Sequence, residues 1–484
     1  MISKKFIRNS IIYTIAGSLP MASAIIFIPL YINYLSPATF GALSIYTGIS
    51  LLVQIFVTFS FDSSVYTYYH DFKNDKSRLA VFISTIFNFV LLISVITFLL
   101  SLLTGAWLFD EVFTKFKILF YPYGLISIVT GIFQALFKIN SNLLQTQEKA
   151  PEFLYFNLIS FLLIVVFTIA GLLFFNDSLA GPITGRCIAT GISVIVLLIN
   201  IYWRYGFHLD FSIIKEMLGF NQGILVYQIL QWFNLYLDRF LMGRYLTLTM
   251  VGIYDIASKC LMVMEFVIAG FNGSFLPKVF GMIALQKKKK STIEINRYYN
   301  GLTAVSIILI PISILVIPFV INLMAEWFHK PGYASSIELL PYLALGYLFR
   351  TLRLYTAMPY PALKKVTLLP FYYLAIMTIK AGLMIWFLWK WEVMGVVFSL
   401  LIGYAIESAI LYWGIRKEFQ FEFNPVKILV VPMLFGSLIL VVEPIFGKQF
   451  PILVHFSYLI LGGFLLLWAF KNELKNLNWR NMIK

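Results

Sequence analysis

Five basic side chains stand where this sequence has least use for charge. Arg186, Lys259, Arg350, Arg353 and Lys380 all fall inside long apolar runs, and Arg350 and Arg353, three apart, share one face of a helix. A charge at the centre of a membrane-crossing helix costs about 2.5 to 3.5 kcal/mol on insertion scales, so each of the five needs a reason. The chemical reason is a cationic, water-filled cavity that receives an anionic group such as a pyrophosphate, a role that suits arginine because its planar donors meet phosphate oxygens two at a time. The plainer reason is snorkelling to the interface or pairing with carboxylates, and for Arg186 and Lys259, nearer helix ends, it weighs as heavily. Lys380 is harder to explain that way, because it lies roughly 13 residues, or about 20 Å of helix rise, from the start of its run.

Acidic residues interrupt the same runs at Asp62, Asp255, Glu265, Glu407 and Glu443. Asp255 and Lys259 are four apart and can neutralise each other on one helix. Asp62, Asp255, Glu265 and Glu407 are candidates for coupling to H+ or Na+, with structural pairing the alternative for each. No glycine loop ending in Lys-Ser or Lys-Thr, no His-Glu-x-x-His and no cluster of His and Cys occurs, so no metal or organic cofactor is expected, and an ATP-driven pump or a zinc enzyme is disfavoured. Cys187 and Cys260 both sit inside apolar runs and suggest neither a disulfide framework nor a metal site.

The elements that must carry these residues follow from composition. Of 484 residues, 60% are hydrophobic and 12% charged, where an ordinary soluble domain is about half apolar and about a quarter charged. Such a chain has too little polar surface for water. Uncharged runs such as Ser10 to Asn33, Leu79 to Phe109 and Tyr298 to Ala325 each reach the roughly 20 residues that cross a bilayer, and in lipid only a helix satisfies its own backbone there. Apolar runs and their breaks predict fourteen spans, near 10–33, 40–61, 80–103, 118–138, 153–175, 180–203, 221–242, 252–276, 300–323, 335–358, 367–389, 393–415, 427–446 and 452–470. The first run is too long for a signal peptide despite Lys4, Lys5 and Arg8 before it and Ala22-Ser23-Ala24 within it. Prolines 20, 29, 277, 311, 318 and 432 fall within or at the ends of spans, where they can bend helices.

The net charge of +15 is spread in short clusters between apolar runs, which points to membrane topology rather than nucleic acid. Loops on one side hold Lys73, Lys76 and Arg78, then Lys287 to Lys290 with Arg297, then Arg416, Lys417 and Lys427, while the opposite loops hold chiefly Lys115, Lys117, Lys330 and Lys448. That asymmetry predicts cytoplasmic termini. The connection from His208 to Gln222 sets Phe211, Ile214, Met217 and Leu218 on one helical face, as an interfacial linker would. No external loop is long enough for a soluble catalytic domain.

The two halves share traces of a repeat. Tyr34-Leu35-Ser36 and Phe40-Gly41 return 211 residues later as Tyr245-Leu246-Thr247 and Val251-Gly252, and an offset of 212 pairs Phe137-Lys138 with Phe349-Arg350. Asp238-Arg239-Phe240-Leu241-Met242-Gly243, followed by Val251-Gly252-Ile253-Tyr254-Asp255-Ile256-Ala257, resembles the span 7 to span 8 signature of Wzx-type polysaccharide flippases of the multidrug/oligosaccharidyl-lipid/polysaccharide exporter superfamily. Leu35-Ser36-Pro37-Ala38-Thr39-Phe40-Gly41 is similar to the matching element between spans 1 and 2.

The resemblance implies an all-α polytopic membrane protein with a V-shaped, MATE-like pair of six-helix bundles, 1–203 and 221–415, an amphipathic linker at 204–220, and two further helices with a basic tail at 416–484. It implies a flippase of a bacterial cytoplasmic membrane, not an enzyme, that carries an undecaprenyl-pyrophosphate-linked oligosaccharide to the outer leaflet by alternating access, beside a glycan polymerase and a chain-length regulator. The family's cationic cavity maps onto Arg186, Lys259, Arg350, Arg353 and Lys380 by type and depth. Two relatives compete: drug and cation antiporters, which carry an acid in span 1 that this chain lacks, and lipid II flippases, which carry arginines in spans 1 and 2, where this chain has none. A membrane-embedded glycan polymerase is the rival from another class.

Overall fold

The computed structural model of the protein describes residues 25–113, 118–175, 178–284, 290–421 and 423–471, with 12, 13, 16, 17, 19 and 473. Several expectations lie outside the described residues: most of the first half of span 1 with Pro20 and Ala22 to Ala24, the cations Lys4, Lys5, Arg8, Lys115, Lys117 and Lys287 to Lys289, and the basic tail from 474. The described residues are almost all helical, with no strand among them.

The helices run α1 (Ile25–Tyr34), α2 (Pro37–Thr58), α3 (Phe61–Phe72), α4 (Lys76–Val112), α5 (Leu125–Thr146), α6 (Ala150–Phe174), α7 (Ala180–Tyr205), α8 (Phe211–Tyr245), α9 (Leu248–Ala284), α10 (Lys290–Trp327), α11 (Leu340–Ala357), α12 (Pro359–Ala362), α13 (Leu369–Ile415), α14 (Val431–Val442) and α15 (Pro451–Ala469). Nine of the described helices are long and apolar enough to cross a membrane. The longest of these, containing α13, breaks at Trp391 and Glu392, where Glu392 takes φ of 50°, so it supplies spans 11 and 12. With α1, α8, α9 and α11, the fourteen expected spans are all present. Side chains such as Leu103, Phe174 and Trp203, each more than 80% exposed, make an outer surface suited to lipid and not to water.

Local chemistry sets the helix starts. Ser36 caps α2 by accepting from the Thr39 amide at 3.3 Å, with Pro37 at the first helical position, where its missing N–H costs nothing. Asp75 caps α4, accepting from the Ser77 and Arg78 amides at 2.9 and 3.1 Å. Asp210 caps α8 through the Ser212 amide at 2.9 Å, and the Ser212 hydroxyl with that amide holds the Asp210 carboxyl below its usual range. The segment read as a linker is therefore three things: Arg204 and Tyr205 end α7, residues 206–210 lie outside any helix, and Phe211 begins a helix that continues without a break as span 7.

The chain forms two compact units, 1–252 and 253–484. In the first, α5 packs on α2, α3 and α7, while α6 and α7 form a close pair. A β-carbon on Gly171 would fall on the Gly181 backbone, and one on Gly185 would fall on the Phe167 carbonyl, so these helices meet backbone to backbone, as small residues permit in membranes. The sequence repeat acquires a physical meaning here. A β-carbon on Gly41 would strike the Leu248 carbonyl, and one on Gly252 would strike the Pro37 carbonyl. Pro37 and Leu248, like Gly41 and Gly252, are 211 residues apart, so the two copies of the motif touch reciprocally. Their caps also correspond: Thr247 Oγ1 accepts from the Met250 amide at 3.2 Å as Ser36 does from Thr39. In the second unit, α11 packs on α10 and α13, and α10 on α15.

Candidate functional site

Three of the five singled-out cations meet in the second unit. Lys380 on α13 is 3% exposed, and its Nζ lies 2.6 Å from Glu407 Oε2 on the second half of the same helix. Glu407 is fully buried, and its Oε1 faces Arg353 Nη1 of α11 at 3.5 Å. One turn earlier on α11, Arg350 Nη2 pairs with Glu265 of α9. Arg350, Arg353 and Lys380 thus face Glu265 and Glu407, three positive groups against two negative, in a row that spans α9, α11 and both halves of α13.

The sequence builds this row locally. The spacing of Arg350 and Arg353 sets both on one face of α11. The break at Trp391 and Glu392 folds the second half of α13 back on the first, which brings Glu407 to Lys380. Gly403 makes the room: a β-carbon there would sit 2.8 Å from Lys380 Cε and Cγ. Tyr404 closes one side, its ring centroid 4.7 Å from Lys380 Nζ and 5.9 Å from the Arg353 guanidinium. Exposure rises along the row, from Glu407 at 0% and Lys380 at 3% to Arg350 at 26%, so Arg350 and Glu265 are its open end.

The remaining predicted residues stand apart from this row. Lys259 Nζ pairs with Asp255 Oδ2 at 2.8 Å, one turn apart on α9, the local neutralisation that their spacing allows. In the first unit, Gln134, with its amide oxygen turned to the guanidinium, accepts from Arg186 Nε and Nη2, both at 3.2 Å. A neutral amide leaves the charge of Arg186 intact, and no carboxylate pairs with it among the described residues. Asp62 on α3 meets Lys138 Nζ of α5 at 2.9 Å. Among the described residues no group of three or more His, Cys, Asp or Glu side chains is arranged to hold a metal.

Sequence reasoning did not assign Lys138, Gln134 or Tyr404. Lys138 carried a signal, since it is the repeat counterpart of Arg350; Gln134 and Tyr404 carried none. Glu443 was visible as an acid in a span, but not its partners: His455 Nε2 lies 3.1 Å from Oε1, and the Tyr458 hydroxyl donates to Oε2 at 3.0 Å, which ties α15 to the end of α14.

Beside the charged row lies an apolar groove of about 560 Å³, walled by α11, α13 and α14 with Leu348, Phe349, Phe398, Ile402, Pro432 and Leu440 among its lining. On α11 the lining residues are Leu345, Leu348, Phe349 and Leu352, interleaved in sequence with Arg350 and Arg353. At 3.6 residues per turn the two sets project roughly a third of a turn apart. One helix therefore presents both a cationic edge and an oily wall.

A fourteen-span helical chain whose polar chemistry is sunk between its helices has a fold also seen in solved membrane transporters. The chain is similar to the lipid II flippase MurJ in an inward closed conformation, with a TM-score of 0.71 and 16% identity over 97% of this chain and 100% of that one. It is also similar to a multidrug resistance MATE family transporter of the MOP superfamily in an inward-facing conformation, with a TM-score of 0.62 and 14% identity over 86% of this chain and 98% of that one. The MATE multidrug transporter DinF-BH gives a TM-score of 0.52 at 14% identity over 86% and 96%. No curated protein matches at the level of sequence. Residues 34–328 match the polysaccharide biosynthesis protein family, and the chain belongs to that family.

Proposed function

We propose that the protein is a flippase that moves an undecaprenyl-pyrophosphate-linked oligosaccharide repeat unit from the cytoplasmic to the outer leaflet of a bacterial cytoplasmic membrane, for O-antigen, capsule or exopolysaccharide synthesis. The observation that carries the reading is α11, with Arg350 and Arg353 on one side and the groove-lining Leu348, Phe349 and Leu352 on the other. A polyprenyl diphosphate has this same division, an anion joined to a long apolar tail. A diphosphate in bare hydrocarbon is prohibitively costly, so its passage needs compensating positive charge, while the tail can stay in an oily groove. Arg186 supplies further positive charge in the first unit.

Both termini are cytoplasmic in this reading, which sets the basic loops inside. The passage runs by alternating access, driven by an H+ or Na+ gradient or by the membrane potential, with a glycan polymerase and a chain-length regulator as working partners. The chain acts as a carrier, without a catalytic step of its own.

A second reading, transport of lipid II, is favoured by the similarity to MurJ over nearly the whole of both chains. The absence of arginine from spans 1 and 2 speaks against it. Deletion separates the possibilities. Loss of a repeat-unit flippase leaves lipid-linked repeat units on the cytoplasmic face, loss of a polymerase leaves them outside, and loss of a lipid II flippase stops wall synthesis. The site itself is tested with Arg350→Ala, which should cut surface glycan at least tenfold while the protein remains at normal abundance in the membrane. Wild-type glycan in that variant would remove Arg350 from the mechanism.

A further inference from the structure

The two carboxylates of the charged row are not equivalent, and the difference suggests how it takes and releases a ligand. Glu407 is fully buried and answers two cations, Lys380 and Arg353, so it cannot leave without stranding a lysine that is 3% exposed. Glu265 lies at the open end, its side chain 19% exposed, and among the described residues its one paired cation is Arg350. That pairing uses Arg350 Nη2 alone and leaves Arg350 Nε buried without a hydrogen-bond partner among the described residues. A buried charged donor without an acceptor is costly, and an oxyanion with several oxygens can engage Nε and Nη2 together, as one carboxylate oxygen here does not. The groups that face Glu265 are Arg350, Arg353 and Tyr347 of α11, with the Tyr404, Lys380 and Glu407 cluster of α13 beyond them.

We propose that Glu265 is a resident counter-anion: in the empty protein it occupies the guanidinium edge that a phosphate takes, and an incoming diphosphate displaces it while Glu407 stays in place. This rests on the reading of the row as a phosphate-binding site and adds what keeps that site from holding its ligand too tightly. The three-to-two excess of positive charge draws an anion in, and Glu265, tethered one bond network away, competes with it continuously. A carrier needs that competition, because a headgroup gripped by an uncontested arginine pair would not be released on the far side.

Removing the competitor should tighten binding and slow transport together, a pair of effects that loss of a merely structural contact does not produce. The test uses the full-length protein in lipid nanodiscs, with labelled inorganic pyrophosphate and a labelled polyprenyl diphosphate as probes, for wild type, Glu265→Gln, Glu265→Ser, Glu265→Asp and Arg350→Ala. An ion-paired hydrogen bond of ordinary strength implies roughly ten- to hundredfold tighter binding in Glu265→Gln and Glu265→Ser, with slower dissociation and reduced surface glycan in cells, and near wild-type behaviour in Glu265→Asp. Equal or weaker binding in both neutral variants would overturn the proposal. If wild type binds neither probe, or Arg350→Ala binds as well as wild type, the phosphate-site reading itself fails and the proposal falls with it. Tightening toward both probes identifies the diphosphate as the group in competition; tightening toward the polyprenyl diphosphate alone would place the competition at the tail and overturn the proposal.

Discussion

Lys138 with Asp62 in the first unit and Arg350 with Glu265 in the second are two versions of one arrangement. Lys138 and Arg350 are 212 residues apart and occupy spans 4 and 10, which correspond in the repeat; their acids come from the corresponding spans 2 and 8. The register of the acids differs, because Asp62 follows a break at Phe59 and Ser60, both at positive φ, whereas Glu265 lies within an unbroken helix. The surroundings differ more. The first pair stands beside uncharged groups, with the Asn142 amide donating to the Asp62 carbonyl, while the second runs on into Arg353, Glu407 and Lys380. One kind of helix contact recurs in both units, and among the described residues only the second continues into a longer row of charges.

The comparison breaks hardest at Glu407. Glu407→Gln strands Lys380 in the interior and should cost about 3 to 5 kcal/mol, read as a large fall in thermal stability in detergent, with Lys380→Met in the same chain recovering much of the loss. A variant as stable as wild type would show that the row is wetter and looser than its burial implies. The reciprocal glycine contact comes next. Gly41→Ala or Gly252→Ala forces two backbones apart and should destabilise by about 1 to 3 kcal/mol, and if the contact is truly symmetric the two losses should be alike. Exchanging the cations sharpens the contrast between the pairs. Arg350→Lys loses the two-pronged grip on an oxyanion and should lower surface glycan about tenfold at unchanged abundance. Lys138→Arg, in a pair that holds only its own carboxylate, should change stability by less than about 0.5 kcal/mol and leave glycan at wild-type level. A glycan defect in the latter would mean that the first unit's pair also handles the cargo.

Much of the architecture is legible in the sequence, because hydrocarbon imposes length and polarity on each span independently. The turn at Lys390-Trp391-Glu392 was legible as a polar break, and the Asp255 and Lys259 pair as an i, i+4 spacing. The charged row was legible only as a set of types. Its pairings join residues 27, 54 and 85 positions apart, distances fixed by how helices pack and not by any local period. Helix lengths were underread for a similar reason. α4 runs from Lys76 to Val112, past the apolar stretch at both ends, and Asp75 sets its start by capping it before the hydrophobic run begins. Gln134 shows the opposite case: a neutral side chain gives no sign in sequence that it holds an arginine.

The reciprocal touch of Gly41 on Leu248 and Gly252 on Pro37 also limits how this chain can change. Where two copies of a motif lie against each other, a single gap serves both, so bulk added to either copy widens it for both. Neither glycine can take on bulk alone, so one shared gap holds both positions to the smallest side chain.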